Sequence, residues 1–170
     1  MSAHEQSGPR SSKSSAHVRE PADFRLTPRY RGRMSRPRVL QIGMDPAVID
    51  FSPWPGQSAD RLQARIDAAA ADLSDAGFDV TVCLLPDDPD AAENNVRLLL
   101  AGKAFDVVEI GSGLRTSHDY TPVFERALNT VVALLPGTPL CFNDSPETTL
   151  EAVNRVHGRR WASNPRPPLA

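Results

Sequence analysis

A short run of the chain, Gly111-Ser112-Gly113 followed by Arg115, His118 and Asp119, has the residue types for ligand chemistry. Glycines around a serine let main-chain N–H groups approach an anion closely. An arginine two residues further on can add a two-pronged charge contact. A histidine beside an aspartate can serve as an oriented acid/base pair. Each reading has a plainer rival. The glycines can be no more than the sharp exit of a strand. The histidine can be a solvated loop residue with the aspartate as turn former, because adjacency in sequence does not bring two side chains face to face.

Further polar residues join this set through the elements that precede them. Asp45 follows one strand-like run and Asn143 follows another, so both would stand on the same rim. Asp45-Pro46 can equally be a turn. Asn143-Asp144-Ser145-Pro146 can be a helix start with Ser145 as its cap, and such a start also favours an anion. The candidate catalytic residues are therefore Asp45, His118, Asp119 and Asn143. The candidate ligand-binding residues are Gly111, Ser112, Gly113, Arg115 and Ser145.

Glu109 is out of place in the apolar run at 105–110. A charge inside a covered strand is costly unless paired, and Arg115 is a natural partner. Burial would raise its pKa and make it a candidate acid or base, with structural pairing as the plainer reading.

Strand-like runs occur at 39–43, 79–85, 105–110 and 139–142. They are aliphatic without strict alternation, as parallel strands covered on both faces are. A helix follows each. The first starts near Ser58, carries Leu62, Ile66, Ala69 and Leu73 on one face, and stops at Gly77. The others open at Asp88-Pro89, Thr121-Pro122 and Ser145-Pro146, pairing a cap residue with proline at the first helical position. They close at Gly102, Gly137 and Gly158. The third helix is expected to turn Val123, Ala127, Val131 and Leu134 inward.

Four strand–helix units in this length predict an α/β fold, a small doubly wound sheet of four parallel strands. The order 2-1-3-4 satisfies the handedness rule. Ligands of such sheets bind beyond the carboxyl ends of the strands where the order reverses, here between the first and third strands. The two longest connections, 44–57 and 111–120, meet there. Loops of that length are often functional, since the usual strand–helix connection is about 2 to 6 residues. Asp50, Ser52 and Trp54 lie in the first loop. Trp54 can close over a ligand or plug the space beneath the loop.

Ile42-Gly-Met-Asp-Pro46 with Asp50-Phe-Ser52, Ile110-Gly-Ser-Gly-Leu-Arg115, and Cys141-Phe-Asn-Asp-Ser-Pro146 with Ala152-Val-Asn-Arg155 resemble a family of small flavodoxin-like proteins without an established activity. The resemblance covers about residues 38 to 157. It implies a fold and no chemistry, and Glu109 departs from the aliphatic residue expected in that strand. The predicted fold is also similar to receiver domains of response regulators. A phospho-acceptor Asp should end the third strand there, but Gly111 stands in its place, and a fifth strand with its preceding Lys is missing. A receiver-like, non-catalytic protein-interaction module is thus the alternative to a small-molecule site with acid/base or hydrolytic chemistry.

Composition narrows the partners. The net charge of -2 conceals a basic segment at 1–37, with eight Arg/Lys against three Asp/Glu, and an acidic remainder with eleven against eighteen. An acidic body is a poor nucleic-acid binder, because phosphate affinity rests on Lys and Arg. Residues 1–37 are expected to form a disordered or loosely docked tail with Phe24, Leu26 and Tyr30 as possible anchors. Residues 38–158 form the domain, and 159–170 a C-terminal tail with Trp161. No apolar run approaches the roughly 20 residues that cross a bilayer. The first residues lack the apolar stretch of a secretory signal, so a cytoplasmic location is expected.

Asp87, Asp88 and Asp90 follow the second strand, where an acid can hold a ribose. The first turn has no GxGxxG, so they are expected to be helix-cap residues and no dinucleotide cofactor is expected. Cys83 and Cys141 show no CxxC pattern. They are expected to be buried thiols, with no metal site. The two edges of a four-stranded sheet make a homodimer plausible.

Overall fold

The computed structural model describes residues 35–157. The expected anchors Phe24, Leu26 and Tyr30, the stop at Gly158 and the tail with Trp161 lie outside these residues.

Four strands, β1 (Arg38–Met44), β2 (Asp79–Leu85), β3 (Val107–Ile110) and β4 (Leu140–Phe142), form one parallel sheet in the order β2-β1-β3-β4. This is the predicted α/β architecture. The four expected helices are α1 (Ala59–Asp75), α2 (Pro89–Leu100), α4 (Thr121–Leu134) and α5 (Thr149–His157). A fifth, α3 (Ser112–Thr116), is short.

Local chemistry sets the helix boundaries. The Ser58 hydroxyl accepts the Arg61 N–H at 3.2 Å, and the Asp88 carboxylate accepts the Ala91 N–H at 2.7 Å. Each satisfies a donor that the first helical turn leaves free. Gly77 ends α1 at φ 97°, a conformation that glycine adopts without steric cost.

Alternate residues of each strand enter opposite faces. Leu40, Ile42, Val108 and Ile110 pack with Val96 of α2 and Val123 and Val131 of α4. Val39, Val107 and Cys141 pack with Leu73 of α1 and with Ala152 and Val153 of α5. The sheet is thus covered on both sides, giving three layers. Burial of each such Val, Leu or Ile contributes about 1.5–3 kcal/mol. No described helix is long and apolar enough to cross a membrane.

The structure corrects four local expectations. The loop at 111–120 is mostly helical, with α3 followed by a 3-10 turn at His118–Tyr120. Thr121 does not cap α4; its hydroxyl bonds back to the His118 carbonyl, and Tyr120 occupies the cap position. Leu134 is 41% exposed, and Thr130 takes an inward position by returning its hydroxyl to the Arg126 carbonyl at 2.8 Å. Pro146 opens a 3-10 turn (Pro146–Thr148), and α5 begins only at Thr149.

Candidate functional site

A cleft of about 220 Å³ lies at the carboxyl ends of β1 and β3, where the strand order reverses. Its floor is Gln41 and Gly43 of β1 with Gly111 at the end of β3. Leu62, Arg65 and Ile66 of α1 form one wall, and residues 143–146 form the other. Ser112 and Gly113 close the inner end, while Met44, Ile49, Val82 and Leu84 supply further apolar surface.

Gly111 is needed here because β1 passes so close. Its N–H donates to the Ile42 carbonyl at 2.8 Å, and a Cβ at this position would stand 3.3 Å from that same oxygen. Gly113 has open space where a Cβ would be. Of the three N–H groups expected to cradle an anion, two are already engaged. Gly111 bonds to Ile42, and Ser112 donates to the Asn143 side chain at 2.8 Å.

Asn143 ties the cleft together. It is 3% exposed, and its Oδ1 accepts from Ser112 while its Nδ2 donates to the Thr149 hydroxyl at 2.8 Å. Arg115 donates to the Asn143 carbonyl, pairs with Asp144 at 3.0 Å and lies over the Phe142 ring. The end of β4, the start of α3 and the start of α5 are therefore joined through one side chain and one guanidinium. Ser145 lines the cleft, with its N–H directed to the Thr148 hydroxyl.

The second arginine of the cleft, Arg65, clasps Glu147 through two bonds of 2.6 and 2.9 Å. The Arg65 guanidinium holds the Glu147 carboxyl down at about 2. Both cationic side chains at the cleft thus already carry a carboxylate.

Glu109 lies one step below Gly111 on the same face of the sheet. The register sets Gln41, Glu109 and Cys141 side by side across three strands. Glu109 is wholly buried; the Asn143 main-chain N–H is near its carboxyl but falls short of full hydrogen-bond geometry, and no other donor among the described residues reaches it. Gln41 Oε1, on a residue only 5% exposed, has no hydrogen-bond partner among the described residues. Burial raises the Glu109 pKa to about 8, against the pull of the Asn143 main-chain N–H and the Arg115 charge, which favour the anion. The neighbouring Cys141 thiol is pushed up to about 12, by burial first and then by Glu109. It and Cys83, raised to about 11 by burial, are free thiols inside the core.

The structure gathers Gly111, Ser112, Gly113, Asn143 and Ser145 around the cleft, with Arg115 bracing one wall from behind. It sets three candidates apart from it. Asp45 caps the 3-10 turn at Pro46–Val48, accepting the Ala47 N–H at 2.9 Å. His118 and Asp119 are exposed in the turn before α4. Trp54 is 55% exposed, neither plugging its loop nor lining the cleft. Arg115 makes no hydrogen bond to Glu109, being held by Asn143 and Asp144.

Sequence reasoning missed Gln41 and Arg65. A signal for Gln41 was present, since an amide inside the run Val39-Leu40-Gln41-Ile42 is as unusual as Glu109 in its strand. Arg65 carried none, because helix periodicity shows which face is buried but not what stands opposite its border.

Among the described residues no group of three or more His, Cys, Asp or Glu is placed to hold a metal ion. Fold and cleft together define a small doubly wound α/β domain with a recess at its topological switch point. No family model matches the chain, and no curated protein matches it.

Proposed function

We propose that this chain binds a small, largely apolar molecule in the cleft between α1, the ends of β1 and β3, and the segment 143–146. The observation that carries this reading is the position of the recess at the reversal of strand order, walled by Leu62 and Ile66 of α1 and floored by Gln41, Gly43 and Gly111. Such crevices are where open α/β sheets hold ligands. A recess of this size lies below the roughly 300–1,000 Å³ of drug-sized sites and suits a compound smaller than a nucleotide.

Binding is better supported than acid/base or hydrolytic chemistry. Asp45, His118 and Asp119 stand outside the cleft, so the catalytic set does not converge. Binding of an anion is disfavoured too, because Arg65 and Arg115 are paired with Glu147 and Asp144. A second reading, a module that binds another protein, draws on the exposed Leu98 of α2 and Val132 and Leu134 of α4.

A fragment screen by thermal shift tests the first reading, run in parallel on Gly113→Leu, whose added side chain starts in open space at the cleft. A fragment at about 100 times its Kd stabilises the native chain by about 2.7 kcal/mol. The variant should lose most of that shift. Fragments that stabilise both chains equally would refute the cleft as their site.

A further inference from the structure

We propose that β2 pairs antiparallel with the β2 of a second copy of this chain, around a two-fold axis near Val82. The two sheets then run together as one, with the two α2 helices side by side on the same face. This is independent of what the cleft binds.

The two edges of the sheet differ in kind. β4 is three residues long, and a strand that short offers little to pair with. β2 runs for seven residues, Asp79-Val-Thr-Val-Cys-Leu-Leu85, and matches β1 residue for residue without a bulge. Among the described residues no strand pairs with its other side. Exposed edges are ordinarily defended by brevity, by Lys or Pro, or by a bulge that breaks the ladder. β2 has none of these. Its one charge, Asp79, stands at its first residue and faces Arg38 at 3.8 Å.

The surface beside this edge is apolar. An open groove of about 500 Å³ lies between β2 and α2, lined by Val82, Leu84, Asn95, Leu98, Leu99 and Lys103. Val82 is 38% exposed and Leu98 68%. The other flank of α2 is already occupied, since Glu93 pairs with Arg97 and with Arg126 of α4. The flank toward β2 carries Asn95 and Leu98 and holds no ion pair among the described residues.

Charge selects a second copy as the occupant. Lys103 marks one end of the groove, near the start of β2: Asp106 N–H bonds to the Arg38 carbonyl and Asp79 N–H to the Pro37 carbonyl, both at 2.8 Å. Asp87 follows β2 at the other end, and both side chains are exposed. Neither forms an ion pair with another described residue. Antiparallel pairing around Val82 sets residue 87 of one copy level with residue 77 of the other, within reach of the long Lys103 side chain. Two-fold symmetry makes that contact twice. Parallel pairing would instead bring Lys103 to Lys103, and like charges set side by side repel. Val82 and Leu84 line the ligand cleft as well, so the second copy stands beside that recess.

Sedimentation velocity on the full chain across the micromolar range tests this, with circular dichroism to confirm that each variant is folded. The native chain should sediment as a dimer. Leu98→Glu changes a side chain that is mostly exposed, and should weaken the dimer about tenfold or more. Lys103→Glu and Asp87→Lys should each weaken it about tenfold, because two attractive contacts become repulsive. An equimolar mixture of these two singly substituted chains should recover the dimer, as each copy then supplies the charge that the other needs. A native chain that stays monomeric overturns the proposal, and slow amide exchange along β2 in that monomer would assign the edge to another part of the same chain. A dimer that Leu98→Glu and both charge changes leave intact overturns it too, because the interface then lies elsewhere. Failure of the mixture to recover a dimer that each charge change has weakened overturns the antiparallel pairing.

Discussion

Replacing Glu109 with glutamine should change how stability depends on pH more than it changes stability itself. Burial holds the folded-state pKa of Glu109 at about 8, well above the ordinary glutamate value of 4.5. Below pH 4.5 the carboxyl is protonated in both folded and unfolded chains, and burial carries no charge penalty. As pH rises, the unfolded chain releases the proton first, so stability falls from about pH 4.5 until the folded group ionises near pH 8. Between pH 5 and 9 the loss amounts to about 4 kcal/mol for a shift of this size. Other shifted groups act outside that window. Glu93 is held low by Arg97 and Arg126, and Glu147 by Arg65, so both act on the acid side. Cys83 and Cys141 are raised to about 11 and 12 and act above pH 9. Glutamine keeps the shape of the side chain and removes the proton. Urea denaturation of both chains at intervals from pH 5 to 9 reads the difference directly. The variant should match the native chain within about 1 kcal/mol at pH 5 and exceed it by several kcal/mol at pH 9. Parallel curves, with a gap that does not change with pH, would show that Glu109 is not held neutral by burial.

Three further outcomes follow from the geometry. Asn143→Ala strands the Ser112 N–H and the Thr149 hydroxyl in the interior, and should cost about 2–4 kcal/mol by denaturant unfolding. Gly111→Ala sets a methyl 3.3 Å from the Ile42 carbonyl, and should cost about 1–3 kcal/mol while shifting the amide resonances at the ends of both β1 and β3. Arg65→Ala breaks a clasp whose side chains are 38% and 57% exposed, so thermal unfolding should register less than about 1 kcal/mol, with its main effect on the walls of the cleft.

The strands and their order were legible because several local signals agreed. Asp88-Pro89 and Ser58 fix where helices begin, and Gly77, Gly102 and Gly137 fix where they end, all three at positive φ. The short helix α3 was not legible. Gly-Ser-Gly has poor helix propensity, and five residues are too few to show a period. Of the site, the glycine turn and the segment 143–146 were placed on the correct rim, since both directly follow strands. Asp45, His118 and Asp119 were placed there by the same logic, but a side chain on a rim can serve its own backbone, as Asp45 does for Ala47. The α1 wall was hidden because its contribution depends on the tilt of a helix across the sheet, which no sequence spacing encodes.

The bonds around Asn143 also have a mechanical consequence. Because one side chain links Ser112 to Thr149, and Arg115 grips the same residue from behind, the inner rim of the cleft moves as a single body. The outer rim, where α1 faces the turn at Pro146–Thr148, carries a solvent-facing clasp of a different kind, Arg65 with Glu147, above the buried Ile66 and Ala69. The two rims thus differ in how they are held: the inner one by buried, mutually dependent bonds that water cannot replace, the outer one by a surface pair that salt weakens.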